Sequence, residues 1–148
     1  MNERRIGPEI RRLNNLIKRE VDSSTVKNQL DRLTGLHGWV IGHIARQDGP
    51  VFQRDLEKRF SVRRSTMSNI MSLMEKNGLI TRQPYKGDAR LKQILLTDRA
   101  KEFDKIAQQD MQRIDRLLTD GISQAELAAF FATIDKIKAN LEKEEKHD

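Results

Sequence analysis

The chain has 148 residues, with 28 Lys and Arg against 22 Asp and Glu, no cysteine, and 34% charged residues. That length suits one domain, and the lack of cysteine removes disulfide frameworks, thiolate metal sites and thiol chemistry, whether nucleophilic or redox-sensing. Met1 to Glu9 carry charge where a signal peptide needs an apolar core, and no uncharged apolar run approaches the ~18 residues of a membrane span, so a cytoplasmic protein with no membrane attachment is expected.

The excess charge is segregated. Residues 1–50 hold nine basic and six acidic side chains, residues 51–100 eleven and five, and residues 101–148 eight and eleven. With an isoelectric point near 9.8, a positive middle third flanked by a negative end is the pattern of a chain that grips a polyanion locally.

Along the chain, Ile6, Ile10, Leu13, Ile17 and Val21 recur every three or four residues, which predicts an amphipathic helix over roughly 6–21. A shorter helix is expected from Ser24 to about Leu33. Thr34 suits the N-cap of a third, carrying Leu36, Trp39, Val40, Ile44 and Ala45 and ending near Arg46 before Asp48-Gly49-Pro50. Phe52, Leu56 and Phe60 predict a short helix with these three inward. After Ser61-Val62-Arg63 comes a longer helix with Met67, Ile70, Met71 and Met74 on one side and Arg63, Arg64, Ser65, Thr66, Ser68, Asn69 and Ser72 on the other. Gly78 stands where a helix C-terminus favours left-handed backbone.

Two apolar runs follow, Leu79–Gln83 and Leu91–Leu96, joined by the polar tip 84–90, a hairpin signal. Thr97 is a good N-cap for a long helix with Ala100, Phe103, Ile106, Ala107, Met111, Ile114, Leu117 and Leu118, stopped by Gly121. Ser123 and Glu126 make a capping box for a last helix containing Leu127, Phe130, Phe131, Ile134, Ile137 and Leu141. The charged residues from Glu142 onward are expected to fray.

Two helices joined by a tight turn, then a hairpin with a basic tip, is how a winged helix-turn-helix reads in sequence. A helix fits the DNA major groove; the small polar side chains Ser65, Thr66, Ser68 and Asn69 allow close approach to base edges, and Arg63 or Arg64 can reach guanine or phosphate. A thin hairpin can lie along the adjacent minor groove, where arginine is favoured. Lys86, Asp88, Arg90 and Lys92 are the candidates on the hairpin, and Gln53, Arg54 and Arg82 are candidates for the DNA backbone. Single-strand binding is disfavoured, since Tyr85 is the one aromatic residue of the hairpin and stacking platforms are missing.

The segments Arg63-Arg64-Ser65-Thr66-Met67-Ser68-Asn69, Met74-Glu75-Lys76-Asn77-Gly78-Leu79-Ile80 and Asp88-Ala89-Arg90 ahead of Ile94-Leu95-Leu96-Thr97 resemble the MarR family of bacterial transcription regulators. The resemblance implies a mostly α fold with a small β-hairpin wing, in which residues 34–97 form the DNA-binding part while 1–33 and 98–148 supply dimerisation helices. It further implies a homodimer on a pseudo-palindromic operator in double-stranded DNA, acting as a ligand-responsive repressor. Arg90 would enter the minor groove and Asp88 would hold an arginine in place. Position 69, arginine in many relatives, is Asn here, so base preference does not carry over. The family also implies a cleft for a small phenolic or other anionic effector, for which Arg11, His37, Trp39 and His43 are the candidates.

Apart from the family, the stripes Ile6, Ile10, Leu13, Ile17 and Phe130, Ile134, Ile137, Leu141 need partners, in one chain as a helical bundle or in a second copy. Enzymatic readings find little support. His37 and His43 are six residues apart and point roughly 120° from each other at ~100° per helical residue, unlike a chelating pair. Neither a phosphate-binding glycine loop nor a nucleophile elbow is present, so no cofactor or metal is expected. The competing function class is a winged-helix module that binds protein without operator specificity.

Overall fold

A computed structural model describes residues 3–23 and 35–146. Among the described residues the chain forms six helices, α1 (Ile6–Asp22), α2 (Gly35–Ala45), α3 (Gln53–Phe60), α4 (Arg64–Lys76), α5 (Asp98–Thr119) and α6 (Gln124–Glu145), with an antiparallel hairpin of β1 (Ile80–Tyr85) and β2 (Asp88–Leu96) between α4 and α5. The helix expected over 24–33 and the Thr34 cap lie outside the described residues. Two compact units result, residues 1–111 and 112–148.

The core of the first unit is built on α2, whose sequence is apolar around most of its circumference. Val40, Ile41 and Ile44 of α2 pack with Val51, Leu56, Met67, Met71, Met74, Leu79, Ile80, Ile94 and Ala100. The four- and three-residue steps of Met67, Met71 and Met74 place all three on the inner side of α4 with no exposed surface, which forces Arg64, Ser65, Thr66, Asn69 and Ser72 outward. At the end of α2, the Arg46 guanidinium donates to the Gly42 carbonyl and lies 3.5 Å from the Asp104 carboxylate of α5.

Several local signals act as the sequence suggests. Gly78 has φ +69°, and the Thr97 hydroxyl donates to its carbonyl at 2.6 Å while accepting from the Ala100 amide at 3.2 Å. Arg99 donates to the Asn77 carbonyl at 2.7 Å, so the end of α4 and the start of α5 are tied together by side chains of one turn. The capping box is formed, Ser123 accepting from the Glu126 amide and Glu126 from the Ser123 amide.

Three features differ from the sequence expectations. The strands run further into the tip than 79–83 and 91–96, leaving Lys86 and Gly87 as the turn. Val51 bridges to Ile94, with the Ile94 amide donating to the Val51 carbonyl at 2.8 Å, so a third segment joins the hairpin where only a helix breaker was read. Lastly, α6 does not fray at Glu142 but continues to Glu145, because Glu and Lys are good helix formers and carry the helix through a stretch with no apolar stripe.

Ser61, at the end of α3, has φ +51°, a left-handed conformation that costs a β-carbon-bearing residue energy which glycine escapes. Ser61→Gly is therefore expected to raise stability, and Gly78→Ala to lower it, each by about 1 kcal/mol. Chemical denaturation of the two variants, read as midpoint shifts of opposite sign, checks this pair.

Candidate nucleic-acid interface

The candidate site grows from α4. Arg63 caps the helix from extended backbone without a side-chain hydrogen bond to it, so its guanidinium remains on the surface beside Arg64. Arg63, Arg64, Ser65, Thr66 and Asn69 are all exposed. Ser68 is not: it is half-buried, and its hydroxyl accepts a 2.8 Å hydrogen bond from the Gln53 side chain at the start of α3. Two residues that sequence placed on DNA independently, one on base edges and one on the backbone, are thus joined to each other and fix α3 against α4.

The hairpin supplies the second part. From Ile80↔Leu96 to Pro84↔Lys92 the ladder is regular, and then Tyr85 pairs with Asp88, so Ala89, Arg90 and Leu91 form extra length on β2. Pro84 has no amide hydrogen to extend the ladder, which suits a position beside a bulge. The result pushes Arg90 out: its side chain is 95% exposed. Asp88 accepts from the Arg90 amide at 3.0 Å and lies 3.7 Å from the Arg90 guanidinium, a local turn that holds the base of the arginine while its head stays in solvent. Lys86 and Lys92 are exposed on either side.

Arg82 is placed differently from the sequence expectation. Its guanidinium donates to the Glu75 carboxylate at 2.7 Å, linking β1 to the last turn of α4, and this hydrogen bond and charge hold the Glu75 carboxyl below the ordinary carboxylate range. Phe52, the N-cap residue of α3, meets Tyr85 edge-on with ring centroids 5.3 Å apart, and the Arg54 guanidinium lies 5.8 Å from the Phe52 ring centre. The Arg82–Glu75 and Phe52–Tyr85 contacts carry no sequence signal, because each joins residues of separate elements with no periodic pattern.

The four residues considered for a small-molecule cleft have different surroundings. His37 is buried on α2, at 3% exposure. Trp39 is 43% exposed and its indole donates to the Met111 sulfur of α5 at 3.1 Å. His43 turns toward α3 and meets Phe60 edge-on at 5.9 Å. Arg11 is exposed on α1. Among the described residues no group of three or more His, Asp and Glu is placed to hold a metal ion, and no helix is long and apolar enough to cross a membrane.

With this geometry in place, the comparisons with known proteins are consistent with one another. The sequence model of the MarR family matches residues 33–91, bearing out the resemblance carried by the α4 and hairpin motifs. The transcription regulator MarR from Oenococcus oeni PSU-1 is 25% identical, over 91% of this chain and 99% of that one, with a TM-score of 0.79. A complex of S. aureus MepR with DNA is 23% identical, over 93% and 99% of the chains, with a TM-score of 0.81. The PcaV transcriptional regulator from Streptomyces coelicolor in complex with its natural ligand is 19% identical, over 94% and 98%, with a TM-score of 0.75. The fold is that of the winged-helix MarR-family transcription regulators.

Burial lowers the pKa of His43 below its usual 6.5, the Arg59 charge lowers it further, and Asp55 opposes them. The folded chain therefore favours neutral His43, while the unfolded chain takes up a proton first as pH falls through about 6.5, so this group lowers stability on acidification below that point. Denaturation midpoints at pH 7.5 and 5.5 should fall more in the parent than in His43→Gln; parallel profiles would contradict the assignment.

Proposed function

We propose that this chain, whose winged-helix part matches the MarR family, is a sequence-specific double-stranded DNA-binding regulator that acts as a homodimeric repressor on a pseudo-palindromic operator. The observation that carries this is Arg90, an arginine almost wholly exposed on a bulged hairpin whose base shares a core with the polar-faced helix α4. Arg64, Ser65, Thr66 and Asn69 read the major groove, Arg63 reaches guanine or phosphate at its rim, and Arg90 enters the minor groove with Lys86 and Lys92 on the flanking phosphates. Arg54 contacts the DNA backbone. Ser68 and Gln53 act through each other by fixing α3, and Arg82 acts by holding β1 to α4.

The dimer is supported by apolar side chains left exposed in a single chain. Ile6, Ile10, Leu13 and Leu16 of α1 and Phe130, Phe131 and Leu141 of α6 are each more than 40% exposed, and Ile17, Ile134 and Ile137 are only half-buried beside them. Apolar surface on that scale favours a second copy. A two-fold dimer presents two α4 helices about one DNA turn apart, ~34 Å, as a palindromic site requires.

Regulation follows the same logic. A small anionic or phenolic effector near Arg11, His37, Trp39 and His43 would favour a conformation in which that spacing no longer matches the operator; the ligand-bound neighbour supports a ligand-responsive mode for this fold.

Duplexes selected from a random library, measured by fluorescence anisotropy over a salt series, test the reading. The parent should prefer its selected sequence over random duplex and lose affinity steeply as salt rises. Arg90→Ala should weaken binding about tenfold and reduce the salt slope by about one. A flat salt response, no preference over random duplex, or an unchanged Arg90→Ala variant would instead favour a protein-binding module. Sedimentation at micromolar concentration should give a dimer.

A further inference from the structure

The wing carries its arginine on a bulge, and a bulge alone leaves the direction of a two-stranded hairpin loosely fixed, because an isolated hairpin is marginally stable in water. Here the hairpin is fastened at two heights to the elements that carry α3 and α4. At the level of the Arg82↔Ile94 pair it is held on both strands, β2 by the Ile94 amide bridged to Val51 and β1 by the Arg82–Glu75 ion pair to α4. Its tip is met by an aromatic contact, Tyr85 edge-on to Phe52 at 5.3 Å, and Phe52 directly follows the bridged Val51.

Tyr85 sits at the step where the ladder loses its register, directly before the turn and opposite the extra residues that include Arg90. The turn is fitted to it: a β-carbon added at Gly87 would lie 3.1 Å from the Tyr85 ring, closer than most such contacts. Any side chain at position 87 would therefore press on the ring and make it give way slightly, a constraint of space, since the Gly87 backbone is not left-handed. From this arrangement we infer that Tyr85 is a positioning residue for minor-groove recognition. Its ring, met edge-on by Phe52 and lying close over Gly87, aims the bulge so that Arg90 enters the groove at a fixed distance from the bases read by α4.

The inference rests on the DNA-binding reading above and adds to it a specificity role for a residue that touches no base. Arg54, beside Phe52, places a phosphate-seeking charge at the α3 end of the same aromatic pair. Losing the brace should blur the readout at positions under the wing and spare those under α4, because the α4 side chains stand on the methionine core and not on Tyr85.

The test uses the full-length protein and the selected duplex, with single base-pair changes at outer and inner positions. Tyr85→Ala should weaken binding about fivefold, a scale set by one aromatic pair. The loss should fall on discrimination between A·T and G·C at the outer positions, with the inner preference unchanged. Tyr85→Phe, which keeps the ring, should behave as the parent. Gly87→Ala, a smaller perturbation that keeps every wing charge, should show the same outer-position loss in milder form, and should have no further effect in a Tyr85→Ala background. Parent-like outer discrimination by Tyr85→Ala would overturn the brace alone, as would a loss spread evenly over all positions or a Gly87→Ala effect that persists without Tyr85. A parent protein with no sequence preference would overturn the DNA-binding reading together with it.

Discussion

Everything at the candidate interface depends on a helix of modest length being apolar enough on one side to be anchored and polar enough on the other to stand against phosphate. Met67, Met71 and Met74 meet the first need by full burial against α2 and the hairpin base. They are unbranched, so they fill the irregular space between a helix, a helix and a strand pair without the fixed shape a branched residue would impose. The same spacing leaves Arg64, Ser65, Thr66 and Asn69 in solvent, and no bulky side chain among the three small ones keeps the helix backbone away from a groove floor. Burial on one side and approach on the other are two consequences of one periodicity.

What the core does for α4, a set of weaker contacts does for the rest. Gln53 to Ser68, Arg82 to Glu75 and Phe52 to Tyr85 each involve a half-exposed group, and each alone is a small contribution, since exposed ion pairs and polar contacts are screened by water and salt. Their value is geometric. They connect α3 to α4, α4 to β1, and the wing tip to the start of α3, closing a loop of constraints around the surface that carries the basic side chains. The middle third of the chain is both the most positive segment and the one in which these constraints concentrate. Charges held in fixed relative positions repel one another without gaining freedom to separate, which is tolerable when the missing counter-charge is supplied by a partner.

How much of this was legible in the sequence depends on the range of each interaction. Features set by residues within four positions of each other were readable: the apolar faces of the helices, the Ser123 and Glu126 box, the left-handed glycine after α4, and the hairpin itself. The ends of the strands were misplaced because residues 84–90 are polar or special without alternation, so nothing in them marks where pairing stops and bulging begins. Val51 escaped because a single bridged residue has no period. The continuation of α6 to Glu145 runs against the fraying that its run of charge suggests, since Lys138 and Asp135 pair along the helix and its charged residues favour helical backbone. At the interface, the exposed residues of α4 and the wing were named from residue type alone, whereas the partners of Ser68 and Arg82 lie on other elements, and residue type gives no hint that a polar group is already engaged.

That distinction matters for how a basic surface should be interpreted. Arg82 and Arg90 are both on the wing, eight residues apart, and composition treats them alike. In the folded chain Arg82 is matched by a carboxylate at 2.7 Å, while Arg90 has Asp88 only at 3.7 Å and its side chain almost wholly in water. A guanidinium already satisfied by a near partner gains little from a phosphate, because the new contact must first replace the old one. One held at its base and open at its head loses little on binding, since its local backbone is already ordered and few interactions have to be broken. The positive charge of the wing thus divides into a cation that builds it, Arg82, and cations it presents, Arg90 with Lys86 and Lys92, a division that charge count does not reveal.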